Sequence, residues 1–153
     1  MKIQRKSVLI CPLDWGLGHA TRCIPIIKEL QRRACKIYIA ADGRPMHLLA
    51  QEFPEVDFLK LPSYGVQYTK GNNMVWKMFL SIPRILKGIY KEHQAIHQIV
   101  KSYRIDVVIS DNRWGLFTAN AYTVFMIHQI TVKTPRWLRI SESLIYKINR
   151  WFI

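Results

Sequence analysis

A chain of 153 residues, half of them hydrophobic, is long enough for one domain with a substantial core, and its 23 Lys and Arg against 10 Asp and Glu leave a net charge of +13. That balance favours an anionic partner such as a membrane surface or a phosphorylated substrate; nucleic acid is not expected, because the basic residues are spread along the chain and no nucleic-acid-reading motif accompanies them. No window reaches the roughly 18 apolar residues that span a bilayer, and Pro12 and Asp14 cut the first apolar run too early for a signal peptide, so any membrane contact is expected to be peripheral and cytoplasmic.

In chain order, Val8, Leu9 and Ile10 form a continuous apolar run, the pattern of a strand buried on both faces of a parallel sheet, and Pro12 ends it. Gly16 and Gly18 predict a turn able to take positive φ and to let a ligand approach the backbone closely. Helical spacing then resumes at Ile24, Ile27 and Leu30, so His19 and Arg22 fall in a first helical turn, where unpaired N–H groups and the helix dipole favour an anion. Lys36 to Ala41 is a second strand, and Gly43-Arg44-Pro45 starts a short helix to Phe53. Asp57 to Leu61 is a third strand, and the turn-rich stretch from Pro62 to Asn73 is a loop. Met74 to Tyr103 is helical, with Pro83 expected to break or kink it. Asp106 to Asp111 and Thr123 to Ile130 are the fourth and fifth strands. Strands alternating with helices predict an α/β, Rossmann-like parallel sheet flanked by helices, with ligands at the carboxyl ends of its strands. Three polar clusters lie at such ends: Asp14 to Arg22, Asp111 to Trp114, and His128-Gln129.

Cys11, Cys23 and Cys35 lack C-x-x-C pairing and read as small buried hydrophobes in a reducing compartment. His93 and His97 lie four apart without an H-E-x-x-H pattern, so no metal site is expected. Gly16-x-Gly18 with Asp42 after the second strand also admits a nucleotide- or dinucleotide-binding module, although Thr21 stands where that fingerprint wants a third small residue.

Taken together, LDWGLGHATR, DVVISDNRWG and FMIHQI resemble the first glycine loop, the fourth strand and the fifth strand of the N-terminal, acceptor-side domain of GT-B glycosyltransferases. The likeness is to the family 28 kind, which includes the peptidoglycan-lipid N-acetylglucosaminyltransferase. It covers Val8 to Pro135. It implies residues 1–135 as the acceptor domain of a GT-B fold, and 136–153 as an amphipathic helix leading toward a separate donor-binding domain. The implied partners are a nucleotide-sugar donor, UDP-linked and bound mainly by that other domain, and a glycolipid or polyprenyl-phosphate-type acceptor; no further cofactor is implied.

Glycosyl transfer needs a base for the acceptor hydroxyl. His19 suits that task, since histidine changes charge close to working pH and a helix N-terminus disfavours the imidazolium. A carboxylate on its other ring nitrogen would fix the tautomer, with Asp111 the first candidate and Asp14 the alternative. Arg22 is expected to grip an acceptor phosphate, and Asp14, Gly16, Gly18, Arg113, Trp114, His128 and Gln129 to shape the acceptor pocket. Finally, Met74 to Lys91 mixes Trp76, Phe79 and Leu80 with Lys77, Arg84 and Lys87, the pattern of a basic amphipathic helix at an anionic bilayer. The docking face is expected over Met74 to Ile82.

Overall fold

The computed structural model describes residues 5–62 and 83–127 in full and the backbone of 74–82. Its elements run β1 (Ser7–Pro12), α1 (Leu17–Arg32), β2 (Lys36–Ala41), α2 (Gly43–Glu52), β3 (Asp57–Lys60), α3 (Met74–Tyr103), β4 (Val107–Asp111) and β5 (Tyr122–Met126). The five strands form one sheet in the order β3-β2-β1-β4-β5, every pair parallel. The expected Rossmann-like α/β architecture is what the chain adopts.

Alternation along the strands divides the core into two layers. Val8 and Ile10 of β1, Ile37 and Ile39 of β2, and Val107 and Ile109 of β4 face α1 and α2, where Cys23, Ile27, Leu30 and Leu49 cover them. Leu9 and Cys11, Tyr38 and Ala40, and Val108 face the other way, onto Ile96 and Val100 of α3. Both faces of the sheet are thus covered by helices, which is why β1 and β4 read as unbroken apolar runs.

Two expectations need correcting. Pro83 does not break α3, which passes through it as a single helix of 30 residues. A proline removes one N–H and one turn's bond, a local cost that a helix packed along a sheet can absorb. The strand expected over Thr123 to Ile130 is β5, which starts at Tyr122 and ends at Met126. His128, Gln129, residues 136–153 and most of the loop between Pro62 and Asn73 lie outside the described residues, as do the side chains of Trp76, Lys77, Phe79 and Leu80.

Candidate active site at the carboxyl edge of the sheet

Parallel register decides which residues can meet. β1 pairs with β4 so that Pro12 stands opposite Asp111. The loop leaving β1 and the last residue of β4 are therefore neighbours. Leu13 is buried and anchors that loop, Asp14 and Trp15 are half-buried, and α1 starts at Leu17 behind Gly16 with no side-chain cap. His19 lies in the first turn of α1 and Arg22 one turn further, so both reach the end of β4.

There they close on one carboxylate. Asp111 is fully buried, the His19 side chain is 14% exposed and that of Arg22 is 34% exposed. Arg22 Nε donates to Asp111 Oδ2 at 2.7 Å, and Nη2 donates to Oδ1, a bidentate grip. His19 Nδ1 lies 2.9 Å from Asp111 Oδ2 and 2.6 Å from Arg22 Nη2. Since one nitrogen cannot both donate to the acid and accept from the guanidinium, the two contacts require opposite tautomers. A bond to an ionised carboxylate is roughly twice as strong as one to a neutral acceptor, and Nη2 already has Oδ1. The network thus assigns the proton to Nδ1 and makes Nε2 the accepting nitrogen. Arg22, expected to hold a phosphate, directs Nε and Nη2 at Asp111, whose buried carboxylate needs the counter-charge that the guanidinium supplies.

The glycines also differ from expectation. Gly16 has a φ of 171°, which is extended backbone, and Gly18 lies inside α1; neither adopts the left-handed conformation that favours glycine. Yet a Cβ built on either would meet none of the described residues within 4 Å, so among these the front of the loop is open.

Beyond β4 the chain turns at Asn112, whose φ of 57° is in the left-handed region that asparagine tolerates, and its N–H donates to Met126 O at 2.9 Å. Ser110 Oγ donates to Arg113 O at 2.6 Å and closes the turn. Arg113 was expected to line the acceptor pocket, but its guanidinium points inward and is fully buried with Glu92 of α3. Its Nε donates to Glu92 Oε1 at 2.5 Å and its Nη2 to Pro62 O at 2.5 Å, while Nη1 lies 3.4 Å from Pro12 O. One side chain therefore ties the ends of β1 and β3 to α3. Gly115 completes the junction: a Cβ there would stand 2.5 Å from Ile89 O, closer than real Cβ atoms come. Trp114 is half-buried against Phe125, ring centroids 5.3 Å apart. Sequence reasoning missed Glu92. The available signal was an acid set between Ile89 and Ile96, on the helix stripe that otherwise reads as core.

Burial pushes the Cys23 thiol, next to Arg22 in sequence, up to about 12, and also raises that of Cys11. Both are thiols at neutral pH and offer no nucleophile to this edge. Asp42 caps α2, accepting from Gly43 N–H at 2.8 Å. Among the described residues no group of three or more His, Cys, Asp or Glu is placed to hold a metal ion.

Residues 12–141 match the family described as Glycosyl transferase family 1. No curated protein matches the chain. Among solved structures, the fold is similar to that of MurG from Acinetobacter baumannii, with 17% identity and a TM-score of 0.55 over 93% of this chain. A UGT transferase from Siraitia grosvenorii, solved in complex with UDP, is matched over 69% of this chain and 23% of its own, with 15% identity and a TM-score of 0.43. The chain spans 40% of the length of the MurG chain it matches.

Proposed function

Because this chain belongs to glycosyl transferase family 1, we propose that it forms the acceptor-side half of a GT-B enzyme that moves a sugar from a UDP-linked donor to a lipid-linked or cell-envelope acceptor, with His19 as general base. The observation that carries this reading is the His19–Asp111–Arg22 cluster beside the open glycine loop. The Nδ1–H bond to Asp111 holds the ring, and Nε2 accepts the acceptor hydroxyl's proton as its oxygen attacks the anomeric carbon. The bond from that carbon to the donor phosphate breaks, and the nucleoside diphosphate leaves with the electron pair. Arg22 cancels the charge of Asp111, so the cluster is neutral before the proton arrives and carries one positive charge after it.

In a complete protein that extends past Ile153, incubation with UDP-sugars and a polyprenyl-phosphate-linked acceptor should give labelled glycolipid. The 153 residues alone should stay at background, because the nucleotide-sugar is held mainly by the other half. Transfer by the 153 residues would overturn the division of labour; nucleotide binding without turnover by the complete protein would favour the plain nucleotide-binding module.

A docked position at the inner face of the membrane forms part of the same reading. Among the described residues no helix is long and apolar enough to cross a bilayer. On α3, however, Leu86 and Tyr90 are 61% and 63% exposed, one turn apart, with Arg84, Lys87 and Lys91 exposed around them. This apolar pair lies beyond Pro83, outside the Met74 to Ile82 stretch where the docking face is expected from sequence. Vesicle binding should rise with anionic lipid and fall with salt. At about 1 kcal/mol per basic residue, converting Arg84, Lys87 and Lys91 to Gln together should weaken partitioning about 100-fold. Indifference to both lipid charge and this triple change would remove the membrane from the proposal.

A further inference from the structure

A histidine pair lies further along the same stripe of α3 as the exposed pair, against the segment that follows β4. His93 and His97 are one turn apart, with rings edge-to-face at 4.6 Å between centroids. His93 Nδ1–H donates to Gly115 O at 3.3 Å. His97 Nδ1 lies 3.4 Å from Thr118 Oγ1, which accepts from Asn120 N–H at 3.2 Å. Each ring is thus oriented through its Nδ1 by an oxygen of the 115–120 segment, and the two Nε2 atoms converge to 3.3 Å. Phe117 stacks on His93 at 4.2 Å and 28° and walls one side. Both imidazoles are half-buried, so solvent still reaches them.

We propose that His93 and His97 bind a divalent transition ion of the nitrogen-preferring kind, Cu²⁺, Ni²⁺ or Zn²⁺, through their Nε2 atoms, with water completing the coordination. Three features point there together. Two bonds of about 2.0–2.1 Å at a tetrahedral angle put the ligand nitrogens about 3.4 Å apart, and the pair already stands at 3.3 Å. Metal-ligating histidines characteristically give the other ring N–H to a carbonyl or similar oxygen, and both rings have such a partner in place. Imidazole-only ligation selects borderline ions over Mg²⁺ and Ca²⁺, which want oxygen.

The proton bookkeeping closes. In the metal-free pair one N–H spans the gap, from His97 Nε2 to His93 Nε2, and Thr118 O–H donates to His97 Nδ1. When an ion takes both Nε2 lone pairs, the His97 proton moves to Nδ1 and donates to Thr118 Oγ1. The threonine hydroxyl turns its own hydrogen to solvent, so no net proton is lost. The ion would pin the 115–120 segment, only a few residues beyond Asp111, to α3. Spacing four apart on a helix gave no reason to expect a site; the oxygen partners on both Nδ1 atoms supply it.

Titration of the full chain with CuCl₂, NiCl₂, ZnCl₂ and MgCl₂, one at a time, followed by calorimetry and thermal melting, tests this. One equivalent of ion should bind, tightest for Cu²⁺ and not measurably for Mg²⁺, with a rise in Tm that a chelator reverses. The Cu²⁺ spin-resonance spectrum should show imidazole nitrogen couplings. His93→Ala and His97→Ala should each abolish the one-equivalent site, and Thr118→Val should weaken it about 10–100-fold. His97→Phe, which keeps a ring against His93, replaces the alanine variant if that fails to fold. Cu²⁺ affinity unchanged in both histidine variants, no binding of any of the three ions, or Mg²⁺ bound as tightly as Cu²⁺, would overturn the proposal.

Discussion

Replacing His19 with Ala in the complete enzyme should lower kcat by about 10²–10⁴-fold while leaving the melting temperature nearly unchanged. The side chain sits on the rim of the sheet edge rather than in the core, and deleting it leaves the bidentate Arg22–Asp111 contact intact. Asp111→Ala should behave differently. It removes the acid that holds the Nδ1–H, and it also strips the Arg22 guanidinium of its buried partner, so activity and stability should fall together. A thermal melt beside a saturating rate measurement separates the two. If His19→Ala retains kcat within about threefold of the parent, the general-base role is wrong, whatever Asp111→Ala does.

The second large effect is on stability. Glu92→Ala should cost about 3–5 kcal/mol, because it takes the carboxylate of a fully buried ion pair away from the Arg113 guanidinium. Against a total of about 5–15 kcal/mol for an ordinary domain, this is enough to bring the fold close to melting. Arg113→Met should cost at least as much. It takes the cationic partner from the buried Glu92 carboxylate and also removes the donor to Pro62 O that ties the end of β3 to the same point. Denaturant unfolding of both single variants and the double variant would give the coupling between the two side chains. A single-variant loss below about 1 kcal/mol would show that water reaches the pair and that it is no clasp.

Most of the fold was legible because local signals agreed with one another. The β2 run KIYIAA, the Asp42 cap before Gly43, and the stripe at Ile96 and Val100 each specify an element with no help from distant residues. The meeting of His19 and Asp111 was legible too, because in a parallel sheet strand ends on adjacent strands are neighbours. What the sequence hid is pairing that local pattern cannot express. Arg22 and Arg113 are both arginines near a strand end, and both read as ligand contacts; which carboxylate each meets depends on register and on α3, from which Glu92 reaches Arg113 across 21 residues of chain. Gly16 and Gly18 predicted a positive φ, but the backbone is extended at one and helical at the other. Neither backbone requires a glycine, and a Cβ at either position would meet none of the described residues.

The strand order has a consequence in time. β1 lies at the centre of the sheet, and one of its edges is completed as soon as β2 has been made, but its other edge waits for β4, which pairs Cys11 with Ser110. On a ribosome adding about 5–20 residues per second, that edge stays open for roughly 5–20 s, offering an apolar, unpaired strand to any neighbouring nascent chain. His19 and Asp111, 92 residues apart, cannot meet until the same moment. Substitutions that slow the docking of β4 should therefore show up first as insoluble protein during synthesis, before any loss of turnover in the molecules that do fold.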